Sequence, residues 1–548
     1  MRILLPRPAR CRRYVPQASC LLLLLESLAA FGEAGFANTN RPVSLLVNSQ
    51  GWAQHDLSIR GSSYTGAGIS INGLNLKAPY SSHFNSELPF LGSLLSGSEA
   101  QYGLGNVSGH LVGTVTYTTI PREQNIQASA GIGTREHYTA SLSAFSSGVG
   151  GFLDWEKAKR IDYDSNDYDR YAGGAHLQHF ANDWQLDLIG AGQKKEFGAQ
   201  GYYGIPADQY AEQTTEDALF FLGATRGDLD DAYFRASGAW RQFDDEIRGL
   251  TPHDVRSRFG AVAIEGRTME IQNIALNLRG DLENEQVDGT SNGDRTRGSF
   301  LVLPEARFER FIVKAGLNSV FQTSEAAEFL PTAGVDWLAT DNSTFYAAYS
   351  ELVQQPDYQT LESNALLNVQ KSQNSELGFR QFASASFDWR AAAFHRRLEN
   401  ASDWMAGTAT DLGTLNVAGL ESEISFYPSE GLELRAFYQW IHKDNNRTDG
   451  FYELDYPEHM LNFSGHWRFA PEFLLFAAQT LRVQTENDAR TSGDFGAEAS
   501  LGLHWFPRFA HSVRLSLLVD NLWGTDFQAI PGLKPPGRTV ATGITVTW

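Results

Sequence analysis

The sequence predicts an all-β protein, in which a transmembrane antiparallel β-barrel of about 22 strands holds a small N-terminal plug domain inside its lumen. Segments of alternating polarity repeat from about residue 114 to the C-terminus, and no apolar run is long enough for a membrane-spanning helix. A barrel of that width needs a plug, or it must act as a channel. We therefore divide the chain into a signal peptide (1–37), a shortened plug domain (38–118) and the barrel (119–548).

The N-terminal segment has the composition of an export signal. Its longest apolar stretch, residues 20–31, follows a region rich in arginine, and Gly35-Phe36-Ala37 places small residues at the two positions that signal peptidase reads. Cleavage after Ala37 removes Cys11 and Cys20, so we expect a mature chain without cysteine. The arginines before the apolar stretch are Arg2, Arg7, Arg10, Arg12 and Arg13.

The charge of the chain argues against nucleic acid as a partner. The formal net charge is −20 at pH 7, and it becomes more negative once the arginine-rich signal is removed. No basic stripe in the mature sequence offsets this charge. Solvated surface loops explain the acidity better than attraction of cations does.

The clearest predicted hairpin surrounds Pro428. Before the turn, Leu420, Ser422, Ile424 and Phe426 share one face, and Glu421, Glu423 and Ser425 share the other. Strands of nine to eleven residues suit a tilted crossing of about 30 Å of hydrocarbon, whereas soluble strands usually have about five or six residues. After the turn, the apolar face is predicted to carry Leu432, Leu434, Ala436, Tyr438 and Trp440, the last two in an interfacial aromatic belt.

A second hairpin is predicted from residues 332–338 and 343–351, with Val335 and Trp337 facing lipid and Asp336 facing the lumen. The C-terminal segment alternates most regularly and ends on an aromatic residue. We interpret part of its apolar face as a signal for the outer-membrane assembly machinery. The residues of this membrane-assembly signal are Val540, Ile544, Val546 and Trp548.

Residues 57–118 are rich in glycine and serine and contain SIRGSS (58–63), ISING (69–73), QYG (101–103) and VGTV (112–115). In this segment Gly61 and Gly73 are expected to form turns, and Gly103, Gly105 and Gly109 to allow close approach to the barrel wall. These motifs resemble the plug domain of TonB-dependent receptors, especially the vitamin B12 receptor branch. Barrel segments similar to recurrent family segments follow in the expected order, at residues 195–203, 208–210, 457–462, 519–523 and 536–539.

The sequence departs from the family pattern at three positions. Asn72 replaces an acidic residue, Ser96 replaces an arginine, and Gly109-His110 replaces a glycine pair. Residues 38–47 contain no match to the short box that contacts TonB. The sequence therefore leaves coupling to the TonB complex open.

The resemblance also implies where a ligand binds. A small-molecule site needs concave apolar walls with a few polar groups. One plug apex comprises Ser62, Ser63, Tyr64 and Thr65, and the other comprises Tyr80, His83, Phe84 and Asn85. Tyr202, Tyr203 and Tyr210 are expected on an extracellular loop above both apices, although the sequence leaves an interfacial belt open for Tyr202 and Tyr203.

Catalytic and metal-binding patterns are absent from the sequence. No H-E-x-x-H, G-x-S-x-G or phosphate-loop motif occurs, so we predict neither an enzyme nor a cofactor. His176 and His179 lie three residues apart on a predicted strand and should point to opposite faces. For Asp162, Asp164, Asp167 and Asp169, a solvated loop is favoured over a calcium site because the expected glycine is absent.

These observations favour a Gram-negative outer-membrane receptor, embedded in lipid, that captures a scarce bulky nutrient and imports it to the periplasm. A corrinoid, a siderophore or another metal chelate fits that class of ligand. The alternative is a degenerate relative that acts as a passive channel or surface-binding protein without TonB coupling. A barrel enzyme would need a nucleophile and a base that the sequence does not show.

Overall fold

A computed structural model describes residues 44–50, 52–90, 94, 96–106, 109–118, 124–160, 166–205, 208–229, 231–249, 252–384 and 386–548. Twenty-two antiparallel strands, β7–β28, form a closed barrel in which each strand pairs with its neighbours in the chain and β28 pairs with β7. The predicted fold class and strand number are therefore confirmed. The first eleven barrel strands are β7 Asn125–Gly133, β8 His137–Ser146, β9 Val149–Ala158, β10 Tyr168–Ala181, β11 Trp184–Gly198, β12 Ala211–Gly227, β13 Tyr233–Gly249, β14 His253–Arg267, β15 Ile274–Gly289, β16 Gly293–Phe308 and β17 Phe311–Gln322.

The remaining eleven strands complete the wall. In the described part of the barrel they are interrupted by one α-helix, α1 (Tyr358–Ser363), which lies between β19 and β20. The strands are β18 Glu328–Thr340, β19 Ser343–Gln354, β20 Gln370–Ser384, β21 Phe387–Met405, β22 Thr408–Ser429, β23 Leu432–Lys443, β24 Pro457–Ala470, β25 Phe473–Gln484, β26 Phe495–Trp505, β27 Val513–Asp520 and β28 Thr539–Thr547.

Alternation decides which side chains face lipid. In the hairpin of β22 and β23, Leu420 is 51% exposed on the outer wall, whereas the neighbouring Glu421 points inward and contacts the plug. Val335 and Trp337 are likewise exposed, while Asp336 lines a cavity in the lumen. The predicted lipid-facing and lumen-facing sides of both hairpins are confirmed. Strand pairing continues to Ser429, however, so the turn after Pro428 is shorter than the sequence suggests.

Aromatic side chains form a belt on the outer wall near the short turns. Phe311, Trp337, Phe345, Phe379 and Trp389 come from five consecutive strands, and successive ring centroids are 6.5, 5.5, 4.7 and 5.2 Å apart. Such girdles mark the interface of a transmembrane barrel with water. The belt explains why large aromatic rings are stable while exposed.

The last residue closes the barrel. The backbone N–H of Trp548 donates to the carbonyl of Ile126 at 2.8 Å, and the N–H of Ile126 donates to the carbonyl of Trp548 at 3.2 Å. The outward face of β28 carries exposed Ile544 and Trp548, as the alternation predicts. Recognition of this strand by the assembly machinery stays a prediction.

The plug lies inside the barrel and contains two small sheets. A four-stranded sheet has the order β4-β3-β6-β5, with β3 and β6 parallel, and β1 pairs with β2 in a hairpin. Its apolar core includes Ile69, Ile71, Leu76 and Val115, which are fully buried. The plug strands are β1 Leu46–Gln50, β2 Gln54–Ser58, β3 Ala67–Ile71, β4 Leu74–Leu76, β5 Ser96–Tyr102 and β6 Gly113–Thr118.

The plug glycines behave mostly as predicted. Gly61 and Gly73 adopt positive φ angles of 67° and 82° in turns. Gly109 has φ of 84°, and a Cβ there would collide with the guanidinium group of Arg297 on the barrel wall. Gly105 does not fit the expectation, because the nearest atom to a Cβ there is 3.8 Å away in the plug's own Gln101.

Buried ion pairs fix the plug against the wall. Arg60 contacts Glu376 at 2.7 Å and Glu421 at 2.6 Å, and Lys77 contacts Glu283 at 2.7 Å. A buried charge is tolerated only when it is paired and hydrogen-bonded, so these contacts strongly restrict how the plug sits in the lumen.

Some predictions fall outside the described residues or stay untested. The signal peptide, Asp162 and Asp164 lie outside the described ranges, and the proposed domain boundaries stay predictions. Among the described helices, none has the length and apolarity needed to cross a membrane. His176 is buried and contacts Asp187 at 2.9 Å, whereas His179 is exposed, which agrees with opposite faces.

Candidate ligand-binding site

The two ends of the barrel differ in their connections. Long connections follow β9, β11, β19, β23, β25 and β27, which all end on the same side, and we call this side the loop end. Most connections at the other side, the turn end, have only two residues. In transmembrane barrels the longer loops are extracellular and the short turns are periplasmic. The loop end is therefore the extracellular side.

The first predicted apex, residues 62–65, lies beneath the loop end and is held by hydrogen bonds. The N–H of Ser63 donates to Glu453 Oε2 at 2.8 Å, and the Ser63 and Thr65 hydroxyls are 2.7 Å apart. Gln354 Nε2 donates to the carbonyl of Thr65 at 2.8 Å, while Ser62 Oγ accepts from the N–H of Ile59. The polar groups of this apex therefore bind loops and plug before any ligand arrives.

Glu453 connects this apex to the loop between β23 and β24. Its carboxylate lies 2.7 Å from Lys443 Nζ, which also donates to the carbonyl of Gly61 at 2.8 Å. Burial disfavours the charged form, but the positive charges of Lys443 and Arg396 together with hydrogen bonds outweigh it and lower the pKa of Glu453. The charge pair thus fixes the loop to β23, and both of its members bind the plug backbone, at Ser63 and Gly61.

The second predicted apex packs mainly by aromatic contacts. Phe84 stacks on Phe243 of β13 with ring centroids 4.7 Å apart, and Tyr80 meets the ring of His253 edge-on at 5.5 Å. Asn85 Oδ1 accepts from the N–H of Ala78 at 2.8 Å, so its side chain stabilises the turn. Tyr80 and Phe84 are both buried.

Helix α1 is attached directly to this second apex. Asp357 caps the helix by accepting from the N–H of Thr360 at 2.9 Å, and the same carboxylate accepts from the N–H of Ser82 at 2.8 Å. The N–H of Gln359 also donates to the carbonyl of Tyr80 at 2.8 Å. One carboxylate therefore orders the loop helix and joins it to the plug.

The two apices and two loops meet in a group of rings that we call the aromatic cluster: Tyr64, His83, Tyr203 and Tyr452. Measured from the His83 ring, the centroids of Tyr64, Tyr452 and Tyr203 are 3.6, 5.3 and 5.7 Å away. His83 Nδ1 also lies 2.7 Å from Asp56 Oδ1 on β2. The cluster therefore joins four separate segments of the chain, and Asp56 adds β2 as a fifth.

The three predicted loop tyrosines have different surroundings. Tyr203 joins the aromatic cluster, and Tyr202 is 1% exposed in an apolar group with Trp52 and Leu533. Neither lies in an interfacial belt. Tyr210 is 59% exposed and donates to Glu212, on the face opposite the lumen. The structure therefore brings together Tyr64, His83 and Tyr203, with Tyr202 packed beside them, but leaves Tyr210 apart.

Several residues of this region were not identified from the sequence. Asp56, Tyr452, Glu453 and Asp357 contribute the contacts above, yet none belongs to a motif. Two of them, Tyr452 and Glu453, follow one another in a loop rich in acidic and aromatic residues, and that composition was the only available signal.

A separate cavity of about 520 Å³ lies in the turn-end half of the lumen, between β5 of the plug and the barrel wall. Lys314, Arg380 and Arg390 supply positive charge, and Asp336 and Glu423 are among its acidic residues. The lining therefore combines charged groups with apolar and aromatic side chains such as Tyr346 and Phe437, whereas aromatic contacts dominate the loop end.

A closed barrel with a lipid-facing belt, a plug in its lumen and plug apices beneath long loops defines the class of plugged outer-membrane receptors. The family model described as "TonB dependent receptor-like, beta-barrel" matches residues 110–522. The chain belongs to this family and resides in the outer membrane. The match identifies the family without specifying the vitamin B12 receptor branch.

Solved structures share the fold at low sequence identity. The FrpB iron transporter from Neisseria meningitidis (F3-3 variant) has a TM-score of 0.75 at 12% identity, over 96% of this chain and 98% of that chain. The siderophore receptor PiuA from Acinetobacter baumannii has a TM-score of 0.73 at 12% identity, over 94% of both chains. The ferric-catecholate import receptor Fiu from E. coli K12 has 0.70 at 14%, over 93% of both. A search of curated proteins found no match.

Proposed function

We propose that the protein captures a metal chelate, or a nutrient of comparable size, at the loop end and releases it into the periplasm. The observation that carries this proposal is the aromatic cluster, in which both plug apices meet residues of two extracellular loops. A ligand that displaces these contacts is sensed by plug and loops together. The three similar structures, an iron transporter and two siderophore or ferric-catecholate receptors, support a metal chelate over a corrinoid.

The contacts suggest how capture proceeds. Glu453 and Asp357 each bind a backbone N–H of an apex and also stabilise their own loop. Loop opening therefore frees Ser63 and Ser82 to bind a ligand, and loop closure shields the ligand from water. Tyr64, Tyr80, Tyr203 and Phe84 supply the apolar walls, and Ser62, Ser63, Thr65, His83 and Asn85 supply polar groups.

We propose that inward passage follows the wall beside the charged cavity. Its lining includes Glu376 and Glu421, the two partners of Arg60, so movement of the plug at that ion pair enlarges the cavity. In this proposal the TonB complex supplies the energy for movement. Loss of uptake in cells that lack TonB, with surface binding retained, is the expected result, whereas unchanged uptake would eliminate TonB coupling.

The binding step is tested with purified protein and a panel of ferric siderophores and corrinoids, using tryptophan fluorescence. We expect at least one ferric chelate to bind. Tyr64→Ala and Tyr203→Ala should each weaken its binding about tenfold or more, which corresponds to roughly 1.4 kcal/mol. Tyr210→Ala is the matched control, since Tyr210 lies outside the cluster. Equal loss of binding in Tyr64→Ala, Tyr203→Ala and Tyr210→Ala would show that the aromatic cluster is not the ligand-binding site.

The second candidate function is a passive channel, and the observation in its favour is the cavity itself, which already occupies part of the turn-end lumen. The buried apices and aromatic cluster at the loop end oppose it. Single-channel recording separates the two functions, because only a channel conducts steadily without a ligand.

A further inference from the structure

One buried cation of the barrel wall, Arg396 on β21, is short of hydrogen-bond partners. Its side chain is only 2% exposed, and its Nε and Nη2 atoms have no hydrogen-bond partner among the described residues. By contrast, the buried cations Arg60 and Lys443 each have a carboxylate oxygen within 2.7 Å. A buried guanidinium group without acceptors is unfavourable, so Arg396 is suited to bind an anion that comes from outside the wall.

Strand register places a second cation in the same row of the wall. Arg396 pairs with Val417 on β22, and Val417 pairs with Lys443 on β23. Because neighbouring strands are about 4.8 Å apart, the backbones that carry the two cations are roughly 10 Å apart. Both side chains are buried and therefore point into the lumen, where their length allows them to act on one anion.

The carboxylate of Glu453 already lies at this position. Its Oε1 atom is 2.7 Å from Lys443 Nζ, and its Oε2 atom accepts from the N–H of Ser63 at 2.8 Å. Burial opposes its charge, but Lys443 and then Arg396 lower its pKa, so Arg396 acts on the same carboxylate without a hydrogen bond to it. Each oxygen of Glu453 thus has a donor of its own, and the donors together form a cradle for a carboxylate.

Glu453 belongs to the loop between β23 and β24, whereas both cations belong to the barrel wall. Asp403, at the loop end of β21, holds this loop by accepting from the N–H groups of Tyr452 and Leu454, each at 2.9 Å. Hydrogen bonds of a loop therefore keep Glu453 in the cradle, and the carboxylate leaves when those bonds open. The cations and the plug backbone stay behind on the barrel and the plug.

We propose that the Ser63 N–H, Lys443 and Arg396 form a carboxylate-binding site for the ligand. Glu453 fills this site as an internal substitute until the ligand arrives. The inference rests on the proposed function and narrows the ligand to a chelate or other nutrient that bears a free carboxylate. The incoming carboxylate replaces Glu453 on Lys443 and on the Ser63 N–H, and it also gives Arg396 the acceptors that Glu453 does not provide. This additional contact favours the exchange and releases the loop from β23.

The test uses calorimetry on the purified full-length protein, with citrate as the probe and its neutral triethyl ester as the uncharged match. Glu453→Gln removes the competing charge and should strengthen citrate binding about tenfold or more, without binding of the ester. Arg396→Met keeps much of the bulk of the side chain and should weaken citrate binding about tenfold or more, in the unaltered protein and in Glu453→Gln alike. Asp449→Asn removes an exposed carboxylate from the same loop and should leave citrate binding unchanged.

The outcomes separate this site from the proposed function. Absence of citrate binding, equal binding of the ester, or citrate binding that Arg396→Met leaves unchanged overturns the carboxylate site. Binding of a ferric siderophore in the fluorescence assay would then leave the receptor function standing, whereas failure to bind any chelate there removes the proposed function itself. Circular dichroism confirms that each variant retains its β-barrel. If Glu453→Gln does not fold, the effect of Arg396→Met in the unaltered protein decides.

Discussion

The loop end and the turn-end half of the lumen differ in almost every physical respect. At the loop end, aromatic rings from plug and loops are buried against each other, and carboxylates are held by a cation, as in Glu453 with Lys443, or by backbone N–H groups, as in Asp357. In the turn-end half, charged side chains line a cavity of about 520 Å³. The difference supports the proposal that one end recognises and shields a ligand while the other provides the path for its release.

The plug's ion pairs lie between these two regions, and breaking one should have the largest effect. Arg60→Ala leaves Glu376 and Glu421 buried without their cation, so we expect the plug to be destabilised by about 3–5 kcal/mol. Hydrogen exchange of residues 57–76 should then accelerate strongly. Arg390→Ala is the control, because Arg390 is half exposed and its ion pair with Asp388 is long, at 3.8 Å. Unchanged exchange in Arg60→Ala would show that this pair does not hold the plug.

Acid should loosen the plug through His110. Burial, and to a smaller extent Lys77, lowers the pKa of His110 to about 3, well below its value in an unfolded chain. In the unfolded state His110 therefore binds a proton that it does not bind in the folded plug. The stability of the plug is retained above about pH 6.5 and falls by about 1.4 kcal/mol per pH unit below it, down to about pH 3. His110→Asn should flatten this dependence in urea titrations of the plug. An identical slope in both proteins would contradict the explanation.

The attachment of α1 should have a smaller, local effect. Asp357→Ala removes the helix cap and the bond to Ser82, at a cost of about 1–2 kcal/mol. Limited proteolysis should cut near residues 358–363 faster, and ligand association should accelerate because the loop opens more often. Asp449→Ala, in an exposed ion pair, should change neither rate.

The cavity charges should affect release with the least effect on stability. Arg380→Ala combined with Arg390→Ala should change the free energy of unfolding by about 0.5 kcal/mol or less, since exposed charges contribute little. Ligand binding at the loop end should persist, whereas uptake by cells should slow. Slower uptake together with weaker binding would show that the two regions are not separate.

Local patterns explain what the sequence predicts well. Leu420 and Glu421 are neighbours whose opposite facing follows from the period of a strand, and the same rule predicts that Val335 faces lipid. The parity rule also explains Tyr210, which alternates with the buried Ala211 and Gln213 and so points away from the lumen. The outward orientation of Tyr210 could be predicted only with knowledge of the residue at which β12 begins.

Long-range contacts explain what the sequence could not predict. The cap that Asp357 forms on Thr360 spans three residues and is local. The pairing of Asp56 with His83 and the bond of Asp357 to Ser82 depend instead on how plug and loops meet in three dimensions. No periodicity relates such residues. Gly105 differs from these cases, because a local neighbour, Gln101, lies where the barrel wall was expected.

The most direct test of the contrast between a closed loop end and a hydrated turn end is single-channel conductance of the purified protein in a planar bilayer. The proposed function predicts a silent barrel, because the aromatic cluster and the plug block the path above the cavity. Steady large conductance without ligand or TonB would contradict it and would instead establish a passive channel.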